Sequence, residues 1–237
     1  MLTLIIDADD TLWENNIYYE DCARDFAALL AGEGFDAEEA GATLSAVEEE
    51  RIPQVGYAPE EFARSLVFSY QRLGRRHGRR VERDLIEKIW NIGRRVAAYP
   101  IVLLDGVEET LNALADRHRL ILLTKGDVEV QRDKLERSGL ECHFAGVHIV
   151  PEKDAAVFRT LLRHYDLDPD RTWMVGNSPR SDINPAVEAG LGGVYVPHPN
   201  TWQLEIEDLV TSDRVTVLES FAQLPGLVSD WDGSSSS

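Results

Sequence analysis

A short apolar run that empties straight into a group of carboxylates constrains this chain more than any other feature. Leu2, Leu4, Ile5 and Ile6 are followed at once by Asp7, Asp9 and Asp10, then by Thr11 and Trp13. The run predicts a buried strand. Three carboxylates within four residues repel one another unless a cation or a fixed array of donors compensates. A strand that delivers such a group to one point therefore predicts a site holding a divalent metal.

From Ile17 to about Ala98 no strand pattern is visible. Tyr18, Cys22, Phe26, Leu29 and Leu30 fall at helical spacing before Gly32 and Gly34. Ala40, Leu44 and Val47 predict a second helix that stops before Pro53. Pro59 opens a third, with Phe62, Leu66, Tyr70 and Leu73, and a fourth runs from about Glu82 to before Pro100. After Ile101 short apolar runs alternate with helical patterns. Strands are predicted over Leu120–Leu123, Phe144–Val150, Thr172–Val175, Val194–Val196 and Val215–Leu218. Such alternation implies parallel pairing with right-handed crossovers. The predicted fold class is α/β: a doubly wound, Rossmann-like parallel sheet over 1–13 and 100–229, with an all-helical cap inserted at 14–99. The acidic, serine-rich end, 230–237, is expected to be a disordered tail.

In doubly wound sheets, ligands bind beyond the carboxyl ends of the strands. Here those ends carry Asp7 to Asp9, Thr124 and Asn177 to Asp182, while the strand ending near Val150 leads into Lys153. Residues remote in sequence are thus expected to converge on one rim.

Composition narrows the partners. Of the 237 residues 43% are hydrophobic, enough for a full core, and the formal charge of −18 disfavours nucleic acid or an anionic membrane as partner. Any phosphate site must be locally positive, built from a metal, a lysine and backbone amides, because distant repulsion is screened beyond roughly 8 Å at physiological salt. No apolar run approaches the roughly 20 residues of a membrane span. With no signal-peptide pattern, and with Cys22 and Cys142 reading as reduced thiols, a cytoplasmic monomer or homodimer is expected. The histidines show no metal-ligand spacing, so no zinc site is expected. The basic run from Arg72 to Arg83 could steer a phosphorylated substrate, but reads first as a solvated turn between cap helices.

Four motifs in order carry a resemblance: Asp7-x-Asp9-x-Thr11, a strand ending in Thr124, Lys153 at a helix start, and Gly176-Asn177-Ser178 with Asp182 downstream. Together they resemble the haloacid dehalogenase-like phosphohydrolases, and the helical insertion resembles the cap of one branch of that superfamily. The resemblance implies Asp7 as nucleophile, forming an aspartyl-phosphate, and Asp9 as general acid/base. It implies Thr124 and Lys153, with Lys125 beside Thr124, as phosphate-binding residues, although Lys125 alone reads as solvated. It implies Mg²⁺, held by the Asp7 carboxylate, the Asp9 carbonyl and Asp182. Asn177 stands where many members carry Asp; its amide still offers an oxygen, directly or through water. The implied substrate is a small phosphorylated metabolite, over which the cap would close to exclude water and select the leaving group. Alternatives are a phosphoglucomutase-like phosphoryl transferase, a dehalogenase, which Asp9 argues against, and a phospho-ligand binding protein without turnover, which Asn177 would suit.

Overall fold

The computed structural model describes residues 1–234. In chain order its main elements are β1 (Thr3–Ile6), α1 (Asn16–Gly32), α2 (Ala37–Val55), α3 (Pro59–Arg76), α4 (Arg83–Arg94), α5 (Val107–Ala115), β2 (Arg119–Lys125) and α6 (Val128–Ser138). There follow β3 (Gly146–Val150), α7 (Ala155–Tyr165), β4 (Thr172–Gly176), a π-helical turn (Pro179–Ile183) running into α8 (Asn184–Glu188), β5 (Gly192–Tyr195), β6 (Val215–Val217) and α9 (Leu224–Ser234). They group into two compact units, Met1–Asn16 with Ile101–Ser237, and Ile17–Pro100.

The first unit is a six-stranded sheet in the order β3-β2-β1-β4-β5-β6, with every pairing parallel. Successive strand side chains point to opposite faces, so alternate residues feed two cores. Leu4, Ile6, Leu122, Val175 and Val194 face α5, α6 and α9, while Ile5, Ile121, Leu123 and Met174 face α7 and α8. Both faces are covered, which is why these strands read as continuous apolar runs. β1 lies at the centre, paired with β2 on one side and β4 on the other. The carboxyl ends of these three strands, Ile6, Lys125 and Gly176, therefore stand side by side.

The second unit is all helical among its described residues. Cys22, Phe26 and Leu30 recur every fourth residue on α1, and Phe62, Leu66 and Tyr70 do so on α3; with Leu44, Leu85 and Ile89 they form one core. Gly93 lets α4 approach α3, since a Cβ there would stand 2.5 Å from Ala63 Cα.

Two expectations are corrected. Helix α2 does not stop before Pro53 but continues to Val55. The proline's fixed φ suits a helix, and near the end of α2 its missing N–H removes only one late hydrogen bond; Gly56, at φ 73°, then closes the helix on Ile52 O. The tail expected to be disordered from residue 230 is helical to Ser234. There Trp231 stacks on Trp173 of β4, with ring centroids 3.8 Å apart, so one aromatic among acidic and serine residues supplies the buried surface that holds the turn. Residues 235–237, the rest of that expectation, lie outside the described residues. No helix among those described is long and apolar enough to cross a membrane.

Candidate active site

The ladder of β1 extends one residue past the strand, where the Asp7 N–H donates to Val175 O at 2.9 Å. This fixes the Asp7 carboxylate at the sheet edge, 5% exposed. Lys153, which precedes α7, donates from its ammonium to Asp7 Oδ1 and, at 2.6 Å, to Asp182 Oδ1. Both Lys153 and Asp182 are buried. The second oxygen of Asp182 accepts from the Ser178 N–H at 2.9 Å. Gly176 makes room for it: a Cβ there would lie 2.2 Å from Asp182 Oδ2. Burial pushes the Asp182 carboxyl up to about 7, against the pull of Lys153. Burial also works against the Lys153 ammonium, but Asp182 and Asp7 outweigh it and hold its pKa above the ordinary lysine value.

Asp9 is engaged elsewhere. Its carboxylate accepts from Lys134 Nζ at 2.9 Å on both oxygens, from Gln131 Nε2 at 2.8 Å and from Trp13 Nε1 at 2.7 Å. Burial would raise its pKa, yet Lys134, Gln131 and Trp13 together hold it below the usual value, as a carboxylate. Lys134 and Gln131 lie one turn apart on α6, so one face of that helix presents both to Asp9. Asp10, at φ 59°, turns the chain after the strand and accepts from the Asn15 and Asn16 amides, anchoring the start of α1. Burial, then the neighbouring Asp9 charge, pushes Asp10 up to about 7.

Thr124 Oγ1, at the end of β2, is buried and has no hydrogen-bond partner among the described residues. Such an orphan is worth roughly 1–3 kcal/mol when it gains one, which suits a hydroxyl meant for a ligand oxygen. Asn177 and Asp7 meet across Thr11: the Thr11 hydroxyl stands 2.9 Å from Asp7 Oδ2 and 3.2 Å from Asn177 Oδ1. One hydroxyl proton can serve only one of those oxygens. With both carboxylates ionised, Asp7, Asp182 and Lys153 carry a net buried charge of −1. This set of hard oxygen donors with an uncompensated negative charge fits an ion such as Mg²⁺.

A hydrolase family model, described as haloacid dehalogenase-like hydrolase, matches residues 1–190. This chain belongs to that family. A haloacid dehalogenase-like hydrolase from Xanthomonas campestris is 30% identical, with a TM-score of 0.85 over 99% of this chain and 93% of that one. A 2-haloacid dehalogenase from Pseudomonas syringae shares the fold at 22% identity and a TM-score of 0.60, covering 98% of this chain and 99% of its own. Phosphoserine phosphatase from Thermus thermophilus is 34% identical over 119 residues, 48% of this chain and 46% of that protein. N-acylneuraminate-9-phosphatase from Mus musculus is 30% identical over 114 residues, 46% of each. The chain spans about half the length of these curated relatives.

In this haloacid dehalogenase-like chain the fold brings Asp7, Lys153, Asp182 and Asn177 into one connected group and sets Thr124 at the neighbouring strand end. Lys125 does not join them. Its ammonium meets Glu205 and, at 3.0 Å, Ser181 Oγ, with Glu152 3.7 Å away. The Asp9 side chain is drawn to Lys134, which leaves its main-chain carbonyl for the role the resemblance implies. The basic run around His77 is largely occupied within its own unit: Arg72 pairs with Glu50, Arg76 and His77 with Glu39, and Arg79 lies over Phe35.

Several residues at the rim were not singled out by their sequence pattern. Lys134 and Gln131 carry a weak signal, two polar side chains on one face of the helix after the Thr124 strand. Thr201 and Glu205 lie in the irregular stretch between β5 and β6, where no periodicity marks them. His198, from the same stretch, comes within 4.8 Å of Asp10 and Glu14, a group that could hold a metal. Asp10 there is already committed to two backbone amides.

Proposed function

We propose that this chain is a Mg²⁺-dependent phosphatase that hydrolyses the phosphate monoester of a small metabolite through an aspartyl-phosphate on Asp7. The observation that carries the reading is the Lys153 ammonium held between Asp7 and Asp182 at the strand ends. Two like charges converge on a third group of opposite sign, at a point where an anionic substrate needs a nucleophile and a counter-charge together. The phosphatases among the relatives support the ester class, and the free thiols of Cys22 and Cys142 suit a reducing cytoplasm.

Asp7 attacks phosphorus while Lys153 and the Thr124 hydroxyl hold phosphoryl oxygens. The Asp9 carboxyl, held ionised by the Lys134, Gln131 and Trp13 donors, is drawn away from them and protonated once the ester is bound. It then gives its proton to the leaving alkoxide; an alcohol departs and Asp7 bears the phosphoryl group. Asp9, now the carboxylate that Lys134, Gln131 and Trp13 stabilise, takes a proton from water as that water attacks phosphorus. Inorganic phosphate leaves and Asp7 is restored. Mg²⁺, held by Asp7, Asp182, the Asp9 carbonyl and the Asn177 amide, would supply positive charge against the developing charge on phosphate. The acid role of Asp9 favours an ester over a halide, since a halide needs no proton to depart.

The test is a hydrolysis screen over phosphorylated metabolites, with and without Mg²⁺. We expect turnover of at least one monoester that EDTA abolishes, and a loss of about 10³-fold or more in kcat for Asp7→Asn with folding preserved. Full metal-dependent activity in Asp7→Asn would end the reading.

A further inference from the structure

A residue beyond the part of the chain that the family model matches decides which way the Asn177 amide faces. Residues 198–205 run across the rim as a strap. Pro199 and Asn200 sit at the centre of a turn that the Thr201 N–H closes on His198 O at 3.1 Å. The strap is pinned along its length: Asn16 Nδ2 donates to Asn200 O at 2.8 Å, Arg180 Nη1 to Leu204 O at 2.9 Å, and Ser178 Oγ to Glu205 Oε2 at 2.6 Å. Thr201 is thereby held against Asn177, whose Nδ2 donates to Thr201 Oγ1 at 3.1 Å.

The direction of that bond follows from proton counting. Thr201 Oγ1 also lies 2.9 Å from the His198 carbonyl, which can only accept. The Thr201 hydroxyl has one proton, which it gives to the His198 carbonyl, and it accepts from the Asn177 NH₂, so that both contacts are satisfied together. A flipped amide would compete with the His198 carbonyl for that one proton, and one of the two contacts would be left without it. Thr11 does not make this choice, because its hydroxyl could donate to Asp7 and accept from an NH₂ group equally well. Thr201 thus favours the orientation with the Asn177 NH₂ outward and Oδ1 toward Asp7, with Thr11 Oγ1 between the two oxygens.

We propose that Thr201 is a positioning residue that locks the Asn177 carboxamide oxygen onto the cation side of the site, so that an amide can stand where a carboxylate would need no orienting. The inference rests on the metal-dependent reading above. An Asp has an oxygen on either face and is indifferent to a flip; an Asn is useful only in one orientation. The strap thus supplies what the substitution of amide for carboxylate removes.

The test is Mg²⁺ titration by calorimetry of the metal-free full chain, with Tm recorded alongside. Five forms are compared: wild type, Thr201→Ser, Thr201→Val, Asn177→Asp and the Asn177→Asp/Thr201→Val double variant. Thr201→Val should bind Mg²⁺ about 10-fold more weakly, the scale on which partners that orient a ligand act. Thr201→Ser should bind as wild type does. In the Asn177→Asp background Thr201→Val should change affinity less than two-fold. The activity of Thr201→Val should return at saturating Mg²⁺, which a purely structural defect would not allow. Equal Mg²⁺ affinity for Thr201→Val and wild type, or the same loss in both backgrounds, overturns the inference and leaves the phosphatase reading standing. A wild type that binds no divalent cation overturns both.

Discussion

The two units of this molecule treat charge in opposite ways. In the helical unit the core is built of Phe26, Leu30, Leu66, Tyr70 and Ile89, and charged side chains lie toward the surface, several of them in pairs such as Arg72 with Glu50 and Arg76 with Glu39. Exposed pairs of this kind contribute little, because water solvates both partners nearly as well apart. In the sheet unit, Asp7, Lys153 and Asp182 are buried together at the ends of the central strands. Burying charge is unfavourable unless partners compensate, and even then the gain over an apolar replacement is small. Concentrating three buried charges at one strand-end point marks that point for chemistry.

The comparison can be broken most decisively at Lys153. Lys153→Met removes the ammonium and leaves two buried carboxylates facing each other. We expect a loss of about 3–5 kcal/mol in urea unfolding. A loss under about 1 kcal/mol would mean that the group is far more hydrated than its burial indicates.

A smaller effect is expected at Glu48, the exception in the helical unit. This partly buried carboxyl has no cation set against it among the described residues, and burial pushes it up to about 7 from an ordinary value of 4.5. Because its folded pKa is raised, the folded chain keeps a proton that the unfolded chain loses between those values. Stability therefore falls as pH rises through that window, and at pH 8 the charge is fully exposed to the desolvation penalty. Glu48→Gln should stabilise the protein by about 1–2 kcal/mol at pH 8 and by clearly less at pH 5, as read by thermal melts at the two pH values. Equal gains at both would show that burial is not the cause.

The smallest effect is expected at Arg72. Arg72→Ala should change stability by less than about 1 kcal/mol, less still at high salt, in the same unfolding assay. A larger loss would erase the contrast between the units.

The elements were legible in the sequence because their signals are local. Leu4, Ile5 and Ile6, and Leu120 to Leu123, announce buried strands by apolar runs, and Cys22, Phe26 and Leu30 announce a helix by their spacing. Pro53 and the 230–234 turn misled for the same reason: each is a local signal overruled, by position near a helix end in one case and by Trp173 in the other. Asp7, Lys153, Asp182 and Thr124 could be named because strand ends in such sheets share a rim. The partners that complete them, Lys134 for Asp9, Thr201 for Asn177 and Glu205 for Lys125, could not, since nothing in the spacing of residues 125 and 205 says that they touch.

By itself, then, the sequence determined the α/β alternation, the helical insertion and the residue types available at each strand end, because periodicity and turn chemistry act over a few neighbours. Only the tertiary structure decided which of those residues meet. The central place of β1 between β2 and β4 sets Asp7 beside Thr124 and Gly176, the turn before α7 brings in Lys153, and a strap without periodicity fixes the direction of one amide. Those outcomes depend on strand order and on packing between segments far apart in the chain, which local composition does not encode.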